Sequence, residues 1–235
     1  MDMKVLIAAP LRQDVDVFLE YQEALDKLII PGGVTVDRYF VVNDCPAVIP
    51  YIKGDYDVVN TGDKYEKAVN DHIWTAENLD KMPQLRNMTI QRCLDGYYDY
   101  LFSVDTDVIV QPETLKTLLE ADKSVVSEVF WTNGWCNAWM YDQSGGMSQG
   151  WKEPGLYKVG FTGACTLITD FTLMRGVNYS RIPNILNVLR GEDRWFGIRA
   201  ACAGVEMWLD THCPATHLFT RDEYAEYMRR KTNGN

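Results

Sequence analysis

Apolar and polar positions alternate between two periods along this chain, and the order in which they do so sets the architecture. Lys4 to Ala9 (KVLIAA) is a short apolar run of the kind that forms a buried strand. Val17, Leu19, Leu25, Leu28 and Ile29 then recur among charged residues at helical spacing, after Asp14 and Asp16. Tyr39 to Val42 is a second strand. Strand, helix, strand predicts a parallel pair joined by a right-handed crossover, the first unit of an open doubly wound sheet. Ligands of such sheets sit beyond the carboxyl ends of the strands, which directs attention to Pro10-Leu11-Arg12 and Asn43-Asp44.

Asp57 to Asn60 offers a weaker third strand, and residues 61 to 82 are polar without a clear period. Leu85 to Leu94 reads as a helix closing at Gly96. Tyr100-Leu101-Phe102-Ser103-Val104 is the clearest buried strand, and it ends abruptly in Asp105-Thr106-Asp107. Pro112 opens a helix through Leu115, Leu118 and Leu119, and Val125 to Phe130 is a strand running into a tryptophan- and glycine-rich stretch, Trp131 to Trp151. Strands at Val159 to Phe161 and Thr166 to Thr169 follow, then a helix from about Asp193 to Gly204, a strand from Glu206 to Leu209 and a polar terminal helix from Asp222. With no internal repeat and no Pro/Ser linker, a single α/β domain is expected.

Charge narrows the function. Against 23 Lys+Arg stand 33 Asp+Glu in 235 residues, a net charge of −10, so no broad basic face is available for nucleic acid or an anionic membrane. Apolar runs fall far short of the ~18 residues of a spanning helix, and Met1-Asp2-Met3-Lys4 carries no signal-peptide core, which predicts a cytoplasmic protein without a transmembrane segment. The six cysteines are scattered and lack a C-x-x-C pair, and they read as reduced, mostly buried thiols.

Three Asp-x-Asp triplets occur, at 14/16, 55/57 and 105/107. The first opens a helix, where the dipole favours acids, and the second precedes a strand on a turn, so both read as structural. Only Asp105 and Asp107 follow a fully apolar strand. Two like charges there repel unless a cation lies between them, and carboxylate oxygens select Mn²⁺ or Mg²⁺ while leaving coordination positions for a diphosphate.

The run Leu85-Arg86-Asn87, a helix, then YDYLFSVDTDVIVQPETLKTLL resembles the nucleotide-binding half of the GT-A glycosyltransferases, whose Asp-x-Asp motif holds a metal under a sugar nucleotide. Pro10 with Arg12, and Asn43-Asp44, resemble the family's two nucleoside-contacting loops, with Asp44 at the base-reading position. VGFTGACTLIT, containing Gly163, resembles its acceptor-side turn, and GEDRWFGIRAACAGVEMWLDTHCPATHL its closing segment. The resemblance covers roughly two thirds of the chain in the family's order; 61 to 82 and 131 to 158 have no clear counterpart. It implies a Rossmann-like, open, mostly parallel mixed sheet flanked by helices. Residues 1–130 would form the nucleotide-sugar-binding half, 131–220 the acceptor and catalytic half, and 221–235 a C-terminal helix or tail. The implied activity is that of a hexosyltransferase type: a nucleotide-sugar donor, UDP favoured from the family's habits and Asp44, and a carbohydrate or other hydroxyl acceptor.

Glu192 and Asp193 sit at a helix start, where the dipole lowers a carboxylate pKa; helix capping is the plain alternative. The resemblance makes Asp193 the base of an inverting transfer, with Glu192 beside it. It also makes His217 the third metal ligand with Asp105 and Asp107; His212 competes, and His217 is favoured. Thr106 is counted with the donor-binding residues, and Arg12 and Arg86 could neutralise diphosphate charge, although isolated arginines more often form surface ion pairs. His72 reads as a surface residue. Trp131, Trp135, Trp139 and Trp151 with their glycines form either a lid or acceptor platform, or ordinary core packing. Two rivals follow from the same residues. One is a haloacid-dehalogenase-type phosphatase with Asp105 as nucleophile, which wants its aspartates near the chain start; the other is a non-catalytic sugar-binding protein.

Overall fold

The computed structural model describes residues 2–62, 76–140, 150–185 and 191–234, with the side chains of 76–79 left aside. In chain order the elements are β1 (Met3–Leu11), α1 (Val15–Asp26), β2 (Val34–Asn43), a 3-10 turn (Pro46–Tyr51), β3 (Asp55–Val59), α2 (Ala76–Asp95), β4 (Tyr100–Val104), β5 (Val108–Ile109) and α3 (Thr114–Glu120). The second half contributes β6 (Val125–Glu128), β7 (Trp131–Thr132), β8 (Trp135–Cys136), β9 (Ala138–Trp139), β10 (Leu156–Val159), β11 (Phe161–Thr162), β12 (Cys165–Thr169), α4 (Asp170–Met174), α5 (Glu192–Cys202), β13 (Met207–Asp210), β14 (Thr216–His217) and α6 (Arg221–Asn233).

Eight strands form one sheet in the order β10-β13-β6-β12-β4-β1-β2-β3. β4, β1, β2 and β3 run parallel, as the strand-helix-strand pattern requires. β12 enters antiparallel between β4 and β6, which makes the sheet mixed. Alternate residues of β1 feed opposite cores. Val5, Ile7 and Ala9 join a cluster with Val17, Phe18 and Tyr21 of α1 and Leu115 and Leu118 of α3. Leu6 and Ala8 join the other, with Leu85, Ile90 and Cys93 of α2 and Phe196 and Ala200 of α5. A strand buried on both faces reads as a continuous apolar run, and KVLIAA is one.

The sequence places the elements well and their ends less well. β1 extends to Leu11, so Pro10 lies inside the strand and Arg12 just beyond it. α2 begins at Ala76, nine residues before the helical period becomes readable, and carries Pro83 within it. The strand expected over Val159 to Phe161 divides into β10, which pairs with β13, and β11, which pairs with β9. The helix expected from Pro112 starts at Thr114. All six cysteines are free thiols and only Cys202 is exposed, as the scattered spacing predicts. No described helix is long and apolar enough to cross a membrane.

α6 has no buried residue. Tyr224 and Tyr227 rest on the first core, and charge does the rest: Lys231 meets Glu20 at 2.6 Å and Glu23 at 2.7 Å on α1, while Arg221 pairs with Asp14 and, at 2.6 Å, with Asp16. The Asp14/Asp16 triplet is thus structural, as is Asp55/Asp57, which engages Arg92 and the Tyr39 hydroxyl.

Candidate active site

β4 delivers Asp105, Thr106 and Asp107 to the carboxyl edge of the sheet. The Asp105 amide donates to the Ala164 carbonyl at 2.8 Å, and the Asp107 carbonyl accepts from the Leu218 amide at 2.7 Å, so the triplet is fixed between β12 and the chain after β14. β14 pairs with β5 in a register that sets His217 opposite Val108. His217 Nε2 comes to 3.5 Å from Asp107 Oδ2, while Nδ1 lies 2.6 Å from the Thr132 hydroxyl. Burial works against charging this imidazole, but the Asp107 carboxylate outweighs it and the pKa is raised. His212 is elsewhere: half-exposed, with Nδ1 3.1 Å from the Asp210 carboxylate. Of the two histidines the fold brings His217 to the aspartate triplet. Phe130 and Phe219 flank its ring at centroid distances of 4.8 and 5.4 Å.

Behind the triplet lies a buried charge cluster. Arg86, on α2 and only 2 % exposed, donates from Nη2 to Asp105 Oδ2 at 2.8 Å, and its Nε lies 3.5 Å from Glu192 Oε1. Its guanidinium lies over the Tyr179 ring, 5.5 Å from the centroid. Glu192 and Asp193 open α5 behind Gly191, whose φ of 120° suits glycine. Asp193 is partly buried, with its Oδ1 shut off from solvent. Burial pushes its pKa up to about 7, with the Glu192 and Asp105 charges adding and Arg86 opposing. That corrects the expectation from the helix dipole, which pointed downward; removing the carboxylate from water outweighs the partial charge of one helix end. Asp193 Oδ1 is buried without a hydrogen-bond partner in the protein.

The expected donor loops meet at the ends of β1 and β2. Asp44, in the left-handed region at φ 47°, takes the amides of Thr61 (2.8 Å) and Gly62 (3.1 Å) and the Thr61 hydroxyl on its carboxylate. The Thr61 hydroxyl first, and the Arg12 charge among smaller effects, hold its pKa below the usual range. Asp44 lies just past the end of β2, and its carboxylate is engaged by the neighbouring turn. Among the described residues no three His, Cys, Asp or Glu side chains converge as a metal-binding group; Asp107 and His217 approach each other, and Asp105 is turned to Arg86. His72 lies outside the described residues.

Solved structures share this architecture. S. aureus TarS 1-349 in complex with UDP-GlcNAc matches over 91 % of the chain at 15 % identity with a TM-score of 0.57, and the chain covers 58 % of that fragment. TarS 1-349 in a second structure matches over 97 % of the chain at 16 % identity, again with a TM-score of 0.57 and 64 % of that fragment covered. A197 from STIV matches over 92 % of this chain and 85 % of its own at 14 % identity, with a TM-score of 0.50. The chain spans 38 % of the longer TarS structure. A sequence profile, Glycosyltransferase family 25, N-terminal domain, matches residues 46–150, just under half of the chain. The chain has the GT-A glycosyltransferase fold. No curated protein sequence matches it.

Sequence reasoning placed Arg86 among the donor-binding residues; in the structure it is the cation common to Asp105 and the α5 carboxylates. Its spacing contained the signal, since Arg86, Ile90 and Cys93 share one helix face and the latter two are core. Thr132 was not singled out at all. Gly163 has a role more specific than a turn: a Cβ there would collide with the Asp193 carboxyl group, so the glycine is the floor on which that group rests. Gly163→Ala is expected to displace the Asp193 carboxyl group while the melting temperature changes by only a few degrees. A crystal structure and a melting curve of the variant check this.

Proposed function

We propose that the protein transfers a sugar from a nucleotide diphosphate sugar, UDP favoured, to a hydroxyl group of an acceptor, with metal dependence and inversion. The observation that carries the reading is the β5–β14 pairing, which brings His217 Nε2 to 3.5 Å from Asp107 at the end of β4, with Asp193 within electrostatic reach of Arg86 and Asp105. The residue types suit Mn²⁺ or Mg²⁺: Asp107 and His217 would hold the ion, and Asp105 would join them only on turning from Arg86. Bound there, a divalent cation neutralises the donor diphosphate and the charge it acquires on leaving.

The remaining chemistry belongs to the side chains. Asp193 takes the proton from the acceptor hydroxyl as that oxygen bonds to the anomeric carbon. The carbon–oxygen bond to the diphosphate breaks on the opposite face, which inverts the configuration. Glu192 and Arg86 hold Asp193 and Asp105 in place. Pro10, Arg12, Asp44 and Thr106 line the way to the nucleotide. TarS 1-349 was solved with UDP-GlcNAc and with UDP, which makes uridine donors the first to test. The phosphatase alternative would need Asp105 as nucleophile, a carboxylate that is paired with buried Arg86.

The test is thermal stabilisation by UDP-, GDP- and CDP-sugars with and without Mn²⁺. A ligand present at 100 times its Kd stabilises by about 2.7 kcal/mol, which for a domain of this size raises the melting temperature by roughly 5–10 °C. The upward shift is expected with a UDP-sugar plus Mn²⁺ and is expected to vanish in Asp107→Ala. Equal shifts in wild type and variant, or none with any donor, would overturn the reading.

A further inference from the structure

The tryptophan-rich segment after β6 does not behave as one unit. Trp131 and Trp151 pack against the second core and Trp139 lies beneath Arg194, whereas Trp135 is 43 % exposed. Trp131 to Cys136 is a two-residue β-hairpin whose central residues, Asn133 and Gly134, have φ of 50° and 82°. Positive φ at both positions is the primed turn that matches the twist of a hairpin, and Asn-Gly is its preferred sequence.

Register decides which way the rings point. Residues directly opposite one another in an antiparallel pair lie on the same face. Trp131 faces Cys136, which is fully buried, so this pair forms the inner face. Thr132 faces Trp135, and the Thr132 hydroxyl lies 2.6 Å from His217 Nδ1. Trp135 therefore stands on the hairpin face turned to His217. The root of the hairpin is tied to the other half of the site. Buried Asn137 donates to the carbonyls of Glu128 and Gly163, both at 3.0 Å, and Gly163 is the floor under Asp193. β6, from which the hairpin springs, lies across β12 from β4 and away from the nucleoside side formed by β1 and β2.

We propose that Trp135 is the stacking platform of the acceptor subsite, and that the acceptor presents a sugar ring whose C–H face lies on the indole. This rests on the transferase reading above and narrows its acceptor from any hydroxyl compound to a saccharide. A hairpin bonded to the residue beside the diphosphate site at one end and to the base's support at the other is placed to set the ring between leaving group and base. An indole offers the apolar face that a saccharide's C–H surface seeks, and a two-residue turn holds it with little ordering left to do on binding.

The experiment uses the whole chain labelled with 5-fluorotryptophan, the ¹⁹F resonance of Trp135 being assigned by Trp135→Phe. Chitotriose, cellotriose and maltotriose are the probes, titrated in the presence of UDP and Mn²⁺. At least one trisaccharide is expected to shift the Trp135 resonance saturably, with its Kd weakened about tenfold or more in Trp135→Ala and about threefold in Trp135→Phe, while UDP-GlcNAc affinity stays within twofold. A melting temperature within a few degrees of wild type shows that the hairpin variants are folded. No response of Trp135 to any trisaccharide, or a saccharide Kd unchanged in Trp135→Ala, overturns the proposal. Absence of UDP-GlcNAc binding with the Trp135 response intact overturns the transferase reading and leaves the saccharide platform standing.

Discussion

Asp193→Asn is expected to abolish most transfer, by about three orders of magnitude, and at the same time to make the protein more stable above neutral pH. Both effects come from one carboxyl group. Burial, Glu192 and Asp105 raise its pKa to about 7, so it is protonated below that value and cannot accept the acceptor's proton. Wild-type transfer should therefore climb as pH rises through about 7 and level off above. Stability runs the other way. A carboxyl whose pKa is raised on folding contributes stability in full below its ordinary value of 3.8, and that contribution is lost as pH rises through about 7, because ionising an enclosed carboxyl is unfavourable. The amide cannot ionise, so the variant should lose the pH step in both turnover and melting temperature while binding UDP-GlcNAc and Mn²⁺ as before. A turnover profile that keeps its rise near pH 7 in the variant would assign the base to another group.

The second large effect is on stability itself. Arg86→Met removes the buried cation while Asp105, Glu192 and Asp193 remain around its place, and Asp105 and Glu192 lose their partner at 2.8 and 3.5 Å. Leaving buried charge uncompensated costs about 3–5 kcal/mol, far more than a surface ion pair is worth. In a domain of this size that lowers the melting temperature by roughly 10 °C or more. Arg86→Lys keeps a charge but not the planar fork that reaches Asp105 and Glu192 together, and it should fall between the two. Urea unfolding of the three proteins gives the comparison, and a methionine variant as stable as wild type would mean that the cluster is held by something other than this guanidinium.

The central sheet was legible because each inner strand advertises itself. KVLIAA and YLFSV are apolar without interruption, as strands covered on both faces must be, and the turns that end them carry Arg12 and the aspartate triplet. β12 could not be assigned a direction from its residues, since antiparallel insertion between β4 and β6 depends on how the chain returns, not on local preference. The first turns of α2 were hidden by Pro83 and by a polar stretch without an apolar stripe. At the site, Asp105 and Asp107 stood out because acids seldom adjoin a fully apolar strand, and Asp193 by its place at a helix start and by the resemblance. Arg86 was read as a cation able to neutralise diphosphate, with a surface ion pair as the alternative, and only its place on the stripe of Ile90 and Cys93 marks it as interior. Thr132 carried no signal at all; its importance comes from the register of a hairpin meeting β14.

The attachment of the terminal helix has a bearing on His217. The chain passes from His217 through Phe219 and Thr220 directly into α6, and α6 lies on the domain by two tyrosines and by lysine and arginine contacts to α1 and its approach, with no enclosed residue of its own. Exposed ion pairs weaken as the Debye length contracts, from about 10 Å at 0.1 M salt to about 3 Å at 1 M. The imidazole and Asp107, joined through β14 and the Leu218 amide, thus continue into an anchorage that responds to ionic strength, while β5, Thr132 and buried Leu218 hold them from the other side.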